Sequence, residues 1–446
     1  MAHSTPWQHI RFVVQQVAYD LRHGLLFRPL AWTISLAVAG LVLPWLDGQA
    51  AVRAWLPPWL DGGEAGTAQT QLATIASAMM TTLSVVYSVL VVALTLASVQ
   101  FSPRLLGRFL GAAASQNTIG CFVGTFVYCL LVLRAVRSEG EGLVPVVSLT
   151  VALLLALLSL ALLIYAIDAL AKSIQANHIA ADIAAETQTV LDEQLDATTA
   201  TAEAVRHREV PPLPPPEAVA VPSPVSGYLQ LIAIEELAAF ASQGDVTVLV
   251  VARPGRFVLA GEPLAWLWPP SSQQSSRAAD IQSAFDIGSV RTLQQDAEFG
   301  FRQLVDMALK AISPAVNDPS TACTCIDHLT ALLCHAVRRD LQSPRVPLPQ
   351  PQRARAALYV PRIDSAELID LAVQQLRQYG SGDVAVCLRL ARLLAAVDSV
   401  ALRPADRARL RHHARWIDEQ TQQRIEADDR VEMVRRLQPL LADPAS

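Results

Sequence analysis

Four stretches of the chain carry no charged residue: Pro29–Leu46, Ala65–Pro103, Phe109–Leu133 and Gly142–Ile167. A helix needs about 20 apolar residues to cross a hydrocarbon core ~30 Å thick. The last three stretches meet that length and the second exceeds it, so the second helix either tilts or projects beyond the bilayer. The first is shorter. Trp32 and Trp45 stand at its two ends, where interfacial aromatic anchors belong, and no small-residue cleavage site follows it. The pattern therefore predicts retained membrane helices over about 29–46, 72–100, 115–136 and 144–168, within a transmembrane domain of residues 1–170.

Beyond that point the pattern is that of a protein in water. Residues 171–210 are rich in Ala, Glu, Gln and Asp and predict a juxtamembrane helix, ended by the Pro-rich run that starts at Val210. Residues 219–268 predict a small β-rich module. Ser226–Ile232 alternates like a strand, Glu235–Ser242 suits one short helix, and Val246–Ala252 is a β-branched run. After a polar spacer, residues 279–446 predict a helical domain. Its helices are expected over 289–311, 319–340, 365–379, 383–397 and 404–437, with a short strand near Ala357–Val360. The fold class is thus an α-helical membrane protein with four transmembrane helices and a cytoplasmic α+β region. That region pairs a barrel-sandwich-like β module with a helical C-terminal domain.

Charge sets the orientation. Arg11, Arg22 and Arg28 precede the first helix, and Arg104 and Arg108 follow the second without an acid. The loop after the first helix carries Asp47, Asp61 and Glu64 against Arg53, and Arg137 after the third is balanced by Glu139 and Glu141. This alternation places both termini in the cytoplasm under the positive-inside rule. The outer loop then holds Trp55-Leu-Pro-Pro-Trp59, suited either to the membrane face or to a plain Pro-rich turn. Only 8 of the 35 basic and 7 of the 40 acidic residues lie in residues 1–168. No basic aromatic surface stands out, so nucleic acid is not an expected partner.

Candidate chemistry in the membrane is confined to hydroxyls. No carboxylate, lysine or histidine falls at mid-depth, which argues against proton relays, voltage sensors and many ion-coupled transporters. On the second helix Thr74, Ser77, Thr81, Ser84, Ser88, Thr95, Ser98 and Ser102 recur at steps of three and four, with one beat missing near Val91. Such a seam suits close helix packing, its commoner use, or the wall of a water-lined pore. In an oligomer it could serve both.

In the soluble part, Asn317-Asp318-Pro319 reads as a helix start, and Glu298, Arg302 and Asp306 form a charged stripe on the preceding helix. These five residues predict either a capped helical hairpin or a polar site for an ion or small ligand. Cys323-x-Cys325-x-x-His328 puts only two of its three residues on one helix face, so neither a metal site nor any other cofactor is expected. Six scattered cysteines make no disulfide framework, and no phosphate-binding glycine loop, nucleophile elbow or zinc-protease motif occurs. No catalytic set emerges, so the expectation is a protein that is not an enzyme.

Two resemblances follow from motifs. Gly255-x-x-Val258-x-x-Gly261-x-x-Leu264 resembles the turn of biotinyl- and lipoyl-type barrel-sandwich domains, although neither Lys172 nor Lys310 lies in the module to carry a swinging arm. Asp296–Ala308 and Ser313–Ala322, with Ser173-Ile-Gln175 and Val99–Pro103, resemble domain-of-unknown-function family 2254 of predicted bacterial inner-membrane proteins. That resemblance covers nearly the whole chain and implies a multi-pass inner-membrane protein without an assigned activity. Two functions fit the residues: an oligomeric channel with a cytoplasmic gate or vestibule, or a non-conducting anchored sensor or scaffold. The partners expected are the lipid bilayer, further copies of the chain, and an ion or cytoplasmic ligand.

Overall fold

The computed structural model describes residues 27–49, 65–100, 113–136, 145–173, 175–199, 211–269, 281–341, 345–346, 348 and 355–442. The Trp55–Trp59 motif, Arg104, Arg108, Arg137, Glu139, Glu141 and Ser102 lie outside them. The chain divides into two compact units, Met1–Gln175 and Ala176–Ser446.

Among its described residues the first unit contains four helices long and apolar enough to span a membrane: α1 (Phe27–Asp47), α2 (Ala65–Gln100), α3 (Ala113–Ala135) and α4 (Val146–Ser173). The third is central. Half of its apolar stretch is buried inside the chain, against 11% for α2. Helix α1 approaches it through glycine. A Cβ on Gly120 would lie 2.8 Å from the Pro29 Cα, and one on Gly124 2.7 Å from the Leu36 side chain. Gly120-Cys-Phe-Val-Gly124 is thus a G-x-x-x-G face, which lets helices approach closely where lipid removes the hydrophobic incentive to associate.

Hydroxyls and one thiol join α3 to α4. Thr118 donates to the Leu162 carbonyl at 3.1 Å, Cys121 and Thr125 meet Ser159, and the Tyr128 hydroxyl donates to the Ser148 carbonyl at 2.9 Å. At the other end of α1, Asp47 is buried and accepts from the Val147 amide (3.0 Å), the Ser148 amide (2.9 Å) and the Ser148 hydroxyl (2.7 Å). It satisfies amides at the start of α4 that have no partner within their own helix. The end of α1 therefore lies beside the start of α4, and α1 runs parallel to α3, as alternating spans require.

The second unit opens with α5 (Ala176–Gln194) and β1 (Leu195–Thr199). The helix expected over 171–210 is therefore shorter. Ile179, Ile183, Thr187, Val190 and Leu191 turn one face of α5 into core, and β1 leaves the helix to pair antiparallel with β8 (Arg339–Leu341).

The β module comprises β2 (Val219–Pro222), β3 (Gly227–Ile232), α6 (Ile234–Gly244), β4 (Thr247–Val250), β5 (Phe257–Val258) and β6 (Pro263–Trp268). It is not closed at residue 268. A three-stranded sheet runs β5-β3-β7, where β7 is Phe285–Gly288. A five-stranded sheet runs β2-β6-β4-β10-β9, where β9 is Arg345–Val346 and β10 is Ala357–Tyr359. Strand β10 lies parallel to β4, Ala357 opposite Thr247, and a parallel partner has to arrive by a long crossover. That is why the module draws strands from beyond the spacer. Its core is Leu229, Ile232, Val248, Val250, Leu264, Leu267 and Leu358. Gly255 (φ +89°) and Gly261 (φ +87°) occupy the left-handed region at the two turns the motif marks.

The remaining helices are α7 (Ala297–Ala311), α8 (Pro319–Arg338), α9 (Ser365–Tyr379), α10 (Val384–Asp398), α11 (Pro404–Arg424) and α12 (Ala427–Leu441). The helix expected to begin at 289 starts at Ala297, because Asp296 caps it by accepting from the Phe299 amide at 3.1 Å. The single helix expected over 404–437 breaks after Arg424, and α12 folds back on α11.

Candidate functional site

Two places in the structure present polar groups in an organised way. On α2, Thr74, Ser77, Thr81, Ser84, Ser88 and Thr95 are exposed, while Ala68, Leu72 and Ala76 on the roughly opposite face are buried. Ser98 continues the same register near the end of the helix. Most of these hydroxyls turn back on their own helix. Thr74 donates to the Thr70 carbonyl (2.7 Å), Ser77 to Thr74 (3.0 Å), Thr81 to Ser77 (2.9 Å), Ser88 to Ser84 (2.9 Å) and Thr95 to Val91 (2.8 Å). Each proton is thus satisfied in the helix and the oxygen keeps a lone pair outward. Packing within the chain uses other hydroxyls, those between α3 and α4. Sequence periodicity singled out α2 because its small hydroxyls recur at steps of three and four along one helix. It passed over Thr118, Thr125, Tyr128, Ser148 and Ser159, which are spread over two helices.

The second place is a cavity of about 210 Å³ in the C-terminal unit. Five segments wall it: the end of α5 (Glu193, Gln194), the β3–α6 junction (Ile232, Ile234), Arg253-Pro254, the start of α7 (Gln295–Glu298) and Val360–Ile363 before α9. Two clamps hold them together. The Gln295 amide accepts from the Ile232 N–H (2.9 Å) and donates to its carbonyl (3.2 Å), as a neighbouring strand would. Gln194 donates to the Gln295 carbonyl at 2.7 Å.

Charge is arranged in pairs around this cavity. Arg253 pairs with Glu298 and, at 2.8 Å, with Glu367 in the first turn of α9. Arg291 grips Asp296 at 2.6 and 2.9 Å and stands over the Phe299 ring. Asp296 is 2% exposed, and burial raises its carboxyl to about 6 although Arg291 pulls the other way. Gly255 makes the close approach possible. A Cβ there would lie 2.0 Å from the Asp296 carboxylate, in a conformation side chains rarely adopt.

The five residues the sequence singled out do not meet in one site. Glu298 joins the cavity, and Arg302 donates to the Gln375 side chain at 3.2 Å. Asp306 lies half-buried one turn further on. Asn317 and Asp318 follow the other end of α7, about 22 Å away by helical rise. There Asp318 caps α8, accepting from the Thr321 amide (3.1 Å) and hydroxyl (2.5 Å), and those bonds hold its carboxyl below the usual range. Asn317 takes the left-handed turn at φ +50°. The pair forms a capped hairpin. Periodicity did not mark Arg253, Arg291 or Arg362, which stand in loops, and the carboxylates that meet Arg253 lie far along the chain on α7 and α9.

Residues 22–396 match a family described as predicted membrane protein (DUF2254). The chain belongs to that family. Within it, this member is 36% identical over 355 residues to an uncharacterized protein of Mycobacterium tuberculosis (strain CDC 1551 / Oshkosh), covering 77% of the chain and 66% of the relative. It is 35% identical, with the same coverage, to an uncharacterized protein of Mycobacterium bovis (strain ATCC BAA-935 / AF2122/97). The chain thus spans just under two thirds of the length of these relatives. No solved structure matches it. Family membership and the four candidate spans make this a multi-pass membrane protein.

Proposed function

We propose that the chain is an oligomeric permeation protein of the bacterial inner membrane, and not an enzyme. In it α2 from each copy borders a polar pathway, and the C-terminal unit forms a cytoplasmic vestibule or gate. The exposed hydroxyl face of α2 carries this reading. A face destined for lipid needs no polar atoms, as the exposed Leu153, Leu154, Leu157 and Leu160 of α4 illustrate. The α3–α4 contact already uses other hydroxyls for internal packing. Back-bonded hydroxyls can meet water or a second helix without leaving an orphaned proton, which suits a face that does both in an assembly. The arginine distribution supports placing both termini in the cytoplasm.

Ion flux into liposomes containing the purified protein tests the proposal. Wild-type protein is expected to conduct, and Ser84→Leu combined with Ser88→Leu to lower the flux at least about tenfold, equivalent to ~1.4 kcal/mol on the permeation barrier. Unaltered flux in the double variant would remove α2 from the pathway.

A second reading, a non-conducting anchored sensor or scaffold, is favoured by the charged cavity of the C-terminal unit. A protein that conducts nothing yet binds a ligand in that unit would decide for it.

A further inference from the structure

We infer that a crevice between α2, α3 and α4 is a binding site for one acyl chain of a bilayer phospholipid. It lies on the side of α2 away from the hydroxyls, so the inference stands apart from the permeation reading.

Helix α2 carries an apolar stripe at steps of four and three: Ala68, Leu72, Ala76, Met79, Leu83, Val86 and Leu90. Its first part is packed. Ala68, Leu72 and Ala76 are buried in one cluster with Tyr128 and Val132 of α3 and Ala152 and Leu155 of α4. From Met79 onward the stripe is only half-buried. A crevice of about 160 Å³ opens there. Val86 and Leu90 form one wall, Ile119 at the start of α3 a second, and Leu163, Ala166 and Ile167 near the end of α4 a third. The stripe continues past the point where its side-chain partners close on it.

Chemistry selects a hydrocarbon occupant. Among the described residues no charged side chain lines the crevice, and Thr118 spends its proton on the Leu162 carbonyl at 3.1 Å. A buried water needs two to four polar partners, which these walls do not offer. The lining residues all fall within the candidate spans, and Val85, Val89 and Ile167 at the rim are exposed. The crevice therefore opens on a surface that meets lipid. Left empty, its walls would forfeit their dispersion contacts, and lipid tails are the solvent at hand.

Size excludes a helix from a second copy. One turn of a helix 10 Å across fills roughly 400 Å³. Taking a methylene as equal to the ~30 Å³ share of a water in the liquid, the crevice holds roughly five methylenes of a tail. The tail completes packing that side chains leave open.

The full chain, purified in a steroid-based detergent that has no alkyl tail, is titrated with phosphatidylglycerol carrying a diazirine on one acyl chain. After irradiation, peptide mass spectrometry locates the label. The expected result is labelling of Val86 and Leu90 that saturates and is displaced by unlabelled phosphatidylglycerol. Leu154 and Leu157, exposed on α4, are the reference and are expected to label without saturation. Ala166→Phe fills the crevice from one wall and Ile119→Phe from another. Each is expected to lower the saturable labelling at least about tenfold, with the reference unchanged. Crevice labelling that climbs without saturation, as the reference does, would overturn the proposal. So would protection of Val86 and Leu90 from the probe, including by cross-linking to a second copy, or saturable labelling that neither variant reduces.

Discussion

Asp296 and His413 are buried ionisable groups of the C-terminal unit that titrate in opposite directions. Asp296 is raised to about 6 by burial. The folded state therefore holds its proton more tightly than the unfolded chain does. This contribution to stability is complete below about pH 4, is lost as pH rises to 6, and is flat above that. His413 is lowered to about 4, by burial first and then by the neighbouring charge of Arg377, although Asp370 accepts from it at 2.9 Å. Its neutral form is favoured, so its contribution is present above about pH 6.5 and is lost as pH falls toward 4. Tm measured from pH 4 to 7 separates the two. Relative to wild type, Asp296→Asn is expected to lack a decline between pH 4 and 6, and His413→Gln to lack a rise over pH 4 to 6.5. Identical profiles in all three proteins would contradict both assignments. Neither behaviour was legible beforehand. Asp296 stood in a recognisable motif, but its burial depends on Gly255 and Arg291, and the sequence placed His412-His413 on a solvated helix face, whereas His413 is buried.

Between elements, glycine sets the closest approaches. Gly300 on α7 faces Thr187 on α5, and a Cβ there would meet the threonine hydroxyl at 1.8 Å and its Cβ at 2.8 Å. Gly300→Ala is expected to destabilise the C-terminal unit by about 1–3 kcal/mol, as overpacking does, despite the better helix propensity of Ala. Adding Thr187→Ala should recover part of that loss in a denaturation series, because the clashing hydroxyl is gone and the Cβ contact remains. No recovery would mean that the two helices do not meet as described. The four membrane helices were legible in kind and approximate place, although α2 begins at Ala65 where 72 was expected and α4 runs to Ser173 where 168 was expected. Lipid imposes a length and a composition that no distant contact can override. The soluble elements were legible in kind but not always in extent. Leu195–Thr199 leaves its expected helix for a partner 140 residues on, and β10 completes a sheet begun at β2. Such pairings are decided by non-local packing, which propensity does not encode.

At the scale of the whole chain, composition alone separated a strongly apolar part from a normally charged part, and the chain divides into two compact units near the same point. The proposed function was less legible because the face of α2 assigned to it packs on no other element among the described residues. Periodicity marked the hydroxyls of α2, while their exposure opposite the packed face emerged only with the fold. The decisive measurement is the water accessibility of that face in liposomes, by single cysteine substitution at Thr81, Ser84, Ser88 and, as a lipid-facing reference, Leu157. The native cysteines are buried except Cys334, which is half-buried, so the unsubstituted protein supplies the background. Permeation along α2 predicts that a charged, membrane-impermeant thiol reagent modifies the three α2 positions, reduces flux on doing so, and leaves position 157 unmodified. Equal protection of all four positions, with flux untouched by the reagent, would contradict it.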